Sequence, residues 1–469
     1  MANIVLLAGL GFGDEGKGHC TDLLCRTEKV FTVIRFNGGA QCGHNVVLPN
    51  GTHHTFAQFG SGTFAGARTH LSRYVLVNPL SLNNEAEALS RLVRDPYSLL
   101  TIDREALVTN PFQIAANRIK EIQRGNKHHG SCGMGIGETV EDALSRPDMA
   151  IHVRDLQNPD VLRQKLQFSR ALKLSQLEPL RSSFQDWESS NVKGVTFLQP
   201  SFQEWQIFDS REDVTIAYYV HRFTEIAKKL NIVDKSYLGS LLKENRTILF
   251  EGAQGVLLDQ DYGFHPHTTW SDTTFGNAYK LLEEANYKRV VKRIGILRGY
   301  MTRHGAGPMP TEIANNEIAP DIHNVYGKFQ KTFRLGHFDT VLAKYALQVV
   351  EGVDELILTN LDKLGDQPKI CTHYKKGNEL YRSLPVQKQP VDLKQQAELT
   401  KFLTEVQSQY QQLNSRKDLI LAVEKELDTP ISLCSIGPTY KDKISLEKMD
   451  KEISMGSLVS YNCSLCSVN

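Results

Sequence analysis

An open α/β fold built on a large, mostly parallel central sheet with flanking helices is predicted by three observations. Apolar β-rich runs recur along the chain, helical patterns lie between them, and most runs end in Gly, Asn, Asp or Ser turns. The strand candidates are Ile4–Leu7, Val30–Arg35, Tyr74–Val77, Thr247–Phe250, Ile294–Leu297, Leu356–Leu358 and Ile431–Cys434. The clearest helix is Glu212–Leu230, where Ile216, Val220, Phe223, Ala227 and Leu230 recur at three- and four-residue steps. Residues 165–210 are rich in Ser and Gln with only short apolar stretches, and read as an irregular peripheral insertion. Gln387–Gln412 spaces Leu393, Leu399, Phe402, Val406 and Tyr410 as a surface helix. We therefore expect one catalytic α/β domain over 1–469, with a peripheral helical or irregular region about 100–240 and a surface helical insertion about 385–415. In such sheets ligands bind beyond the carboxyl ends of the strands, where the glycine turns belong.

Composition narrows the partners. Fifty-four Lys plus Arg against 53 Asp plus Glu leave a formal charge of +1, which advertises neither nucleic acid nor an anionic membrane surface. No apolar run reaches the roughly 18 residues of a membrane span, and the N-terminus lacks the pattern of a secretory leader, so a cytoplasmic protein is expected. The eight cysteines are too sparse for a disulfide scaffold and read as thiols. Cys463 and Cys466 form a C-x-x-C pair to which the sequence assigns no role.

The first strand runs into GLGFGDEGKG, whose spacing from Gly11 fits G-x-x-x-x-G-K, the frame of a phosphate loop. Glycines there let backbone N–H groups approach phosphate oxygens while Lys17 neutralises charge. Gly18 stands where such loops place the Ser or Thr that holds Mg²⁺, so another oxygen must serve. Asp14 is the first choice and Glu15 the second. Five further segments set glycine beside groups able to touch phosphate or base: NGGAQCGHN at 37–45 with Gln41 and His44, GSCGMGIGETVED at 130–142, FEGAQGVLLD at 250–259 with Gln254, TRHGAGPMPTE at 302–312, and TNLD at 359–362. An aspartate in the last is suited to accept the N1–H and 2-amino hydrogens of guanine.

Taken in order, these segments with SIGP at 435–438 resemble the adenylosuccinate synthetase family from residue 4 to about 440. The resemblance implies a GTP-dependent ligase that phosphorylates the 6-oxygen of a purine nucleotide and displaces phosphate with an amino-acid amine. Asp14 would take the purine N1 proton and share in the Mg²⁺ site with Gly43. His44 would stabilise or protonate the phosphoryl group in flight, with Lys17 and Gln254 completing the catalytic set. Gly13, Gly16, Lys17, Gly18, Gly43 and His44 would hold the GTP phosphates, while Asn360, Asp362 and Gly437 would surround guanine. Gln41 and Gln254 would face the acceptor purine, Ser131, Cys132 and Thr269 its 5′-phosphate. Arg146 would reach that phosphate from the second subunit of a homodimer.

The chain also departs from the pattern. The family's amino-acid loop carries a Thr-Thr-Gly-Arg-Arg-Arg-like run, where this chain has GKFQKTFR at 327–334, leaving Lys331 and Arg334 as carboxylate partners. Cys132 replaces a threonine, Gln41 an asparagine and Asn360 a lysine, and FGNAYKLLEEANYKR takes the place of a glycine-rich stretch. These changes point to an altered acceptor and amino-acid pocket around intact phosphoryl-transfer chemistry. Two alternatives therefore stand beside ordinary adenylosuccinate synthesis: the same ligation on another purine monophosphate or amino acid, and a nucleotide-binding regulatory protein that does not ligate.

Overall fold

The computed structural model describes residues 3–125, 129–190, 200–313, 318 and 332–445. A ten-stranded sheet forms its centre, in the spatial order Lys443–Ile444, Ile431–Ser435, Glu355–Thr359, Lys292–Arg298, Asn3–Gly9, Thr247–Glu251, Val30–Arg35, Arg68–Leu71, Leu100–Asp103 and Asn231–Val233. Neighbouring strands run parallel except at one edge, where Ile431–Ser435 pairs antiparallel with Lys443–Ile444. The central strand Asn3–Gly9 is covered on both faces, which its unbroken apolar run requires. Ile4, Leu6 and Ala8 join one core cluster with Ile34, Phe36, Ile248 and Phe250. Val5 and Leu7 join another with Val33, Leu249, Ile294 and Ile357. The parallel α/β expectation is met, and among the described residues no helix is long and apolar enough to cross a membrane.

Three local expectations need correction. Tyr74–Val77 is not a strand of this sheet; Leu76 and Val77 make only isolated bridges to Gly39 and Val108. The strand is Arg68–Leu71, whose buried Thr69 and His70 do not look like core in a hydrophobicity reading. The stretch expected to be irregular at 165–210 carries two helices among its described residues, Pro159–Ser190 and Pro200–Asp209. The buried side of the longer helix mixes Leu162, Leu166 and Leu177 with Ser169, Arg170 and Lys173, which breaks the apolar period. Lys173 is tolerated there because it donates to Glu138 (2.7 Å) and Asp142 (2.6 Å). Within Gln387–Gln412 the helix is confined to Leu393–Glu405, started by the Asp392 side chain accepting from Lys394 N–H. Gln407–Gln412 is a strand, claimed by antiparallel pairing with Lys369–Lys376.

His70 yields a stability prediction. Burial alone pushes its imidazole down to about 4, and its Nδ1 meets the Thr101 hydroxyl at 3.0 Å. Between that value and its ordinary 6.5 the unfolded chain binds more protons than the fold, so stability rises with pH across that window and is lost as pH falls through it. The linkage is on the order of 3 kcal/mol. Thermal unfolding of His70→Gln followed from pH 4 to 7 should show a shallower loss on acidification than the parent.

Candidate active site

The motifs converge because five strands of one parallel run end on the same edge. The phosphate loop follows Asn3–Gly9, the Gln41–His44 loop follows Val30–Arg35, and Gln254 follows Thr247–Glu251. Asn360–Asp362 follows Glu355–Thr359, and Gly437 follows Ile431–Ser435. Every residue expected at the donor nucleotide, namely Gly13, Gly16, Lys17, Gly18, Gly43, His44, Asn360, Asp362 and Gly437, lines a single cleft of about 230 Å³, together with Asp14. His19, Arg298 and Lys363 also line it, and the sequence reading did not single them out.

Within the phosphate loop the two acids have different tasks. Glu15 is buried: its Oε1 accepts N–H of Gly11 (2.9 Å) and Gly13 (2.8 Å), and its Oε2 pairs with Lys17 Nζ at 2.7 Å. Lys17 also donates to the Gly13 carbonyl at 2.7 Å. Glu15 is thus a strut inside the loop rather than a metal ligand, which removes the second-choice reading. A Cβ at Gly9 would sit 2.1 Å from Glu15 Oε2, so only glycine admits the strut. Gly16, at φ +88°, starts the helix Lys17–Thr27. A Cβ at Gly18 would come within 2.6 Å of the Asn45 carbonyl. Close packing of the helix start on the His44 strand therefore accounts for glycine where Ser or Thr is usual.

Asp14 stays partly exposed at 28%. Burial works toward a higher pKa, but His304, Arg298 and Lys17 outweigh it and hold the carboxyl below its ordinary range. His304 Nε2 lies 3.3 Å from Asp14 Oδ2. Arg298 donates to the Asp14 main-chain oxygen at 3.1 Å.

His44 opens the hairpin strand His44–Val47 and is 5% exposed. Its Nδ1 meets Glu251 Oε1 at 2.7 Å, and Glu251 also accepts from the Ser61 hydroxyl (2.5 Å) and Ser61 N–H (3.0 Å). Burial, reinforced by Arg35, lowers the imidazole to about 4 despite Glu251. For Glu251 burial pulls upward, yet His44 and Arg35 bring it down to about 2. The pair therefore rests as an ionised carboxylate and a neutral imidazole, with Nδ1–H assigned as the donor to Glu251. His44 Nε2 is buried without a hydrogen-bond partner among the described residues.

On the acceptor side, Gln254 adopts φ +63° and its Nε2 donates to the Thr269 hydroxyl at 2.5 Å. Its Oε1 and both polar atoms of Gln41 are buried without partners among the described residues. Both amide oxygens border one turn: Gln254 Oε1 lies 3.9 Å from a Cβ built on Gly38, and Gln41 Oε1 lies 3.0 Å from one built on Gly39. Buried polar atoms left without a partner are where a ligand can supply the missing one. Ser131 donates to Asn117 Oδ1 at 3.0 Å, and Glu121 takes the N–H groups of Gly130 and Ser131. Burial raises the Cys132 thiol to about 11, which leaves it neutral.

Two expected residues are not gathered with these. Arg146 stands exposed at the end of the ten-residue helix Ile136–Ser145, about 15 Å along the axis from the Ser131–Cys132 loop at its start. Arg334 grips Glu312 in a bidentate pair and donates to the carbonyls of Gly305 (3.0 Å) and Gly307 (2.8 Å), so its guanidinium is engaged rather than offered to a substrate. Lys331, Cys463 and Cys466 lie outside the described residues.

A parallel α/β sheet that brings a glycine phosphate loop, an acid and a buried histidine to one cleft defines a nucleotide-dependent enzyme of the phosphoryl-transfer class. The family model for adenylosuccinate synthetase matches residues 6–444, and the chain belongs to that family. Members are GTP-using ligases that form a C–N bond in purine biosynthesis, joining L-aspartate to IMP. The adenylosuccinate synthetase of Christiangramia forsetii is 31% identical over 457 residues, covering 94% of this chain and 99% of the relative. In fold, the chain matches the fully ligated adenylosuccinate synthetase of Plasmodium falciparum with a TM-score of 0.73 at 23% identity, over 95% of this chain and all of that one. It also matches cyanophage S-2L succinoaminodeoxyadenylate synthetase, bound to dGMP and dATP, with a TM-score of 0.55 at 15% identity, over 97% and 99% of the two chains.

Proposed function

We propose that the cleft joins L-aspartate to IMP with GTP as phosphoryl donor, through the following division of labour. Asp14 accepts the N1 proton of the purine, which makes the 6-oxygen nucleophilic toward the γ-phosphorus, and GDP leaves. Nε2 of His44 meets the phosphoryl group as charge gathers there, with Glu251 behind Nδ1 ready to stabilise an imidazolium. The amine then attacks C6 and phosphate departs with the former 6-oxygen. Asp362, in the cleft beside Asn360 and Gly437, reads the guanine edge of the donor. Gln41 and Gln254 face the acceptor base, and Ser131, Cys132 and Thr269 its 5′-phosphate. The exposed Arg146 supplies charge to the same phosphate in the partner subunit of a cytoplasmic homodimer. Lys331 and Arg334 belong to the amino-acid side, Arg334 in exchange for its present hold on Glu312.

The residues fit Mg²⁺ better than a metal held wholly by protein. Among the described residues no cluster of three His, Cys, Asp or Glu forms, whereas one partly exposed carboxylate stands at the phosphate loop. Mg²⁺ commonly takes one or two carboxylates and completes its shell with substrate phosphates and water. The Asp14 carboxylate and the Gly43 carbonyl would hold it, and it would supply charge neutralisation at the GTP phosphates.

The observation that carries this reading is the meeting of Asp14, Lys17 and the open Nε2 of His44 in one cleft with the donor-base residues. A second reading keeps the chemistry and changes the acceptor or the amino acid. It is favoured by the neutral Cys132 thiol in the Ser131–Cys132 loop and by the engagement of Arg334 with Glu312. The test is a matrix of purine monophosphates against amino acids with Mg²⁺-GTP, reading phosphate release and product mass. We expect IMP with aspartate to turn over; turnover confined to another pair replaces the first reading with the second. Tight GTP binding with no GDP formed from any pair would overturn both in favour of a regulatory protein.

A further inference from the structure

We propose that His304 is a positioning residue for Asp14, holding the carboxylate in the orientation that meets the acceptor purine; the inference rests on Asp14 being the base. His304 ends the strand Met301–His304, and its Nε2 reaches Asp14 Oδ2 at 3.3 Å. The other cations near this carboxylate are committed elsewhere in part: Lys17 Nζ turns back to Glu15 Oε2, and Arg298 Nη1 holds the Asp14 main-chain oxygen. His304 is itself fixed from its far side. It lies opposite Phe333 in the antiparallel pairing with Phe333–Gly336, and the two rings sit 4.8 Å apart at 52°. Gly305 N–H bonds the Thr332 carbonyl at 2.9 Å, extending the pairing of the two strands by one residue beyond His304.

The adjacent residue adds a second anchor. Arg303 is 1% exposed and commits its guanidinium to the carbonyls of Ala306, Pro308 and His267, with its plane 4.2 Å from the ring of Phe12. One strand end thus touches the phosphate loop twice, at Phe12 through Arg303 and at Asp14 through His304. Arg303 braces the loop; His304 touches one oxygen of the Asp14 carboxylate, leaving the other free to meet the purine. A carboxylate on a glycine-rich loop has free rotation about its own bonds, and a donor held on a paired strand removes that freedom before substrate arrives.

The experiment compares His304→Leu with His304→Gln, whose amide nitrogen falls near the position of Nε2. His304→Leu should lower kcat about ten-fold or more, the contribution of one hydrogen bond to a charged group. His304→Gln should restore most of that loss. Affinity for a non-hydrolysable GTP analogue, measured by calorimetry, should stay within about two-fold of the parent in both. If His304→Leu does not fold, His304→Asn, whose amide stops short of Oδ2, replaces it with the same expectation. An apolar variant with parental kcat, an equal loss in His304→Gln, or a loss confined to GTP binding would each overturn the proposal. If Asp14→Asn is inactive while His304→Leu is normal, only this inference fails; if Asp14→Asn is active, the role of Asp14 itself fails.

Discussion

Asp14→Asn should abolish ligation while GTP still binds. The substitution preserves shape, leaves the main-chain oxygen that Arg298 holds, and leaves the strut between Glu15 and Lys17 intact. In the proposed mechanism it removes the basicity that would take the N1 proton and the negative charge that would face Mg²⁺ at the phosphates. Loss of a general base costs about 10²–10⁴-fold, and with the proposed Mg²⁺ contact a charge would go with it, so kcat should fall by at least about 10³-fold. GTP affinity should change far less, because Gly13, Gly16, Lys17 and Gly18 remain in place around the cleft. Phosphate release under saturating substrates and equilibrium binding of GTP separate the two effects. Activity near the parental level would refute Asp14 as the base, and an equal loss in GTP affinity would make it a binding residue only.

The division between what the sequence discloses and what it withholds follows physical lines. Parallel strands buried on both faces announce themselves as apolar runs, and the glycine loops behind them are local in sequence, so most of the central sheet and the loops that line the cleft were legible. Arg68–Leu71 was not, because Thr69 and His70 are polar yet buried at 1% and 2%. The helix Pro159–Ser190 hid for a related reason: the buried Lys173 is matched by Glu138 and Asp142, more than 30 positions earlier in the chain. Pairings across such distances leave no periodicity. The same holds in the site. Nothing local says that Glu251 backs His44 or that His304 touches Asp14, since those contacts join residues 207 and 290 positions apart. The clues were present only as residue types: an acid ending the strand before Gln254, and a histidine in a loop of Gly and Pro. Glu15 shows the converse, for an acid in a phosphate loop looks like a ligand until its hydrogen bonds are counted.

His44→Leu should be the other severe lesion, and Glu251→Gln should reproduce part of it. In the resting enzyme Nε2 is buried without a hydrogen-bond partner, on a residue that lines the cleft, while Nδ1 is committed to an ionised Glu251. A phosphoryl group moving past Nε2 brings negative charge, which favours proton uptake by the imidazole. Glu251 stabilises that state because the resulting imidazolium forms beside a fixed anion in a site closed to water. Leucine supplies neither donor nor charge and should lower kcat by about 10²–10³-fold, the loss seen when one stabilising donor is removed from a transition state. In Glu251→Gln the side chain presents one oxygen and one amide nitrogen at a position where Glu251 now accepts from both His44 and Ser61. The amide nitrogen either opposes Ser61 N–H or turns the imidazole to the other tautomer, and the anion is gone in both cases. A fall of about 10²-fold is expected, with GTP affinity near parental in Glu251→Gln, which leaves both His44 and the glycine cradle in place. Single-turnover measurement of GDP formation isolates the phosphoryl-transfer step from attack by the amine. Slow GDP formation in both variants is the expected result; GDP formed at the parental rate, with only the later C–N step impaired, would move His44 and Glu251 out of phosphoryl transfer.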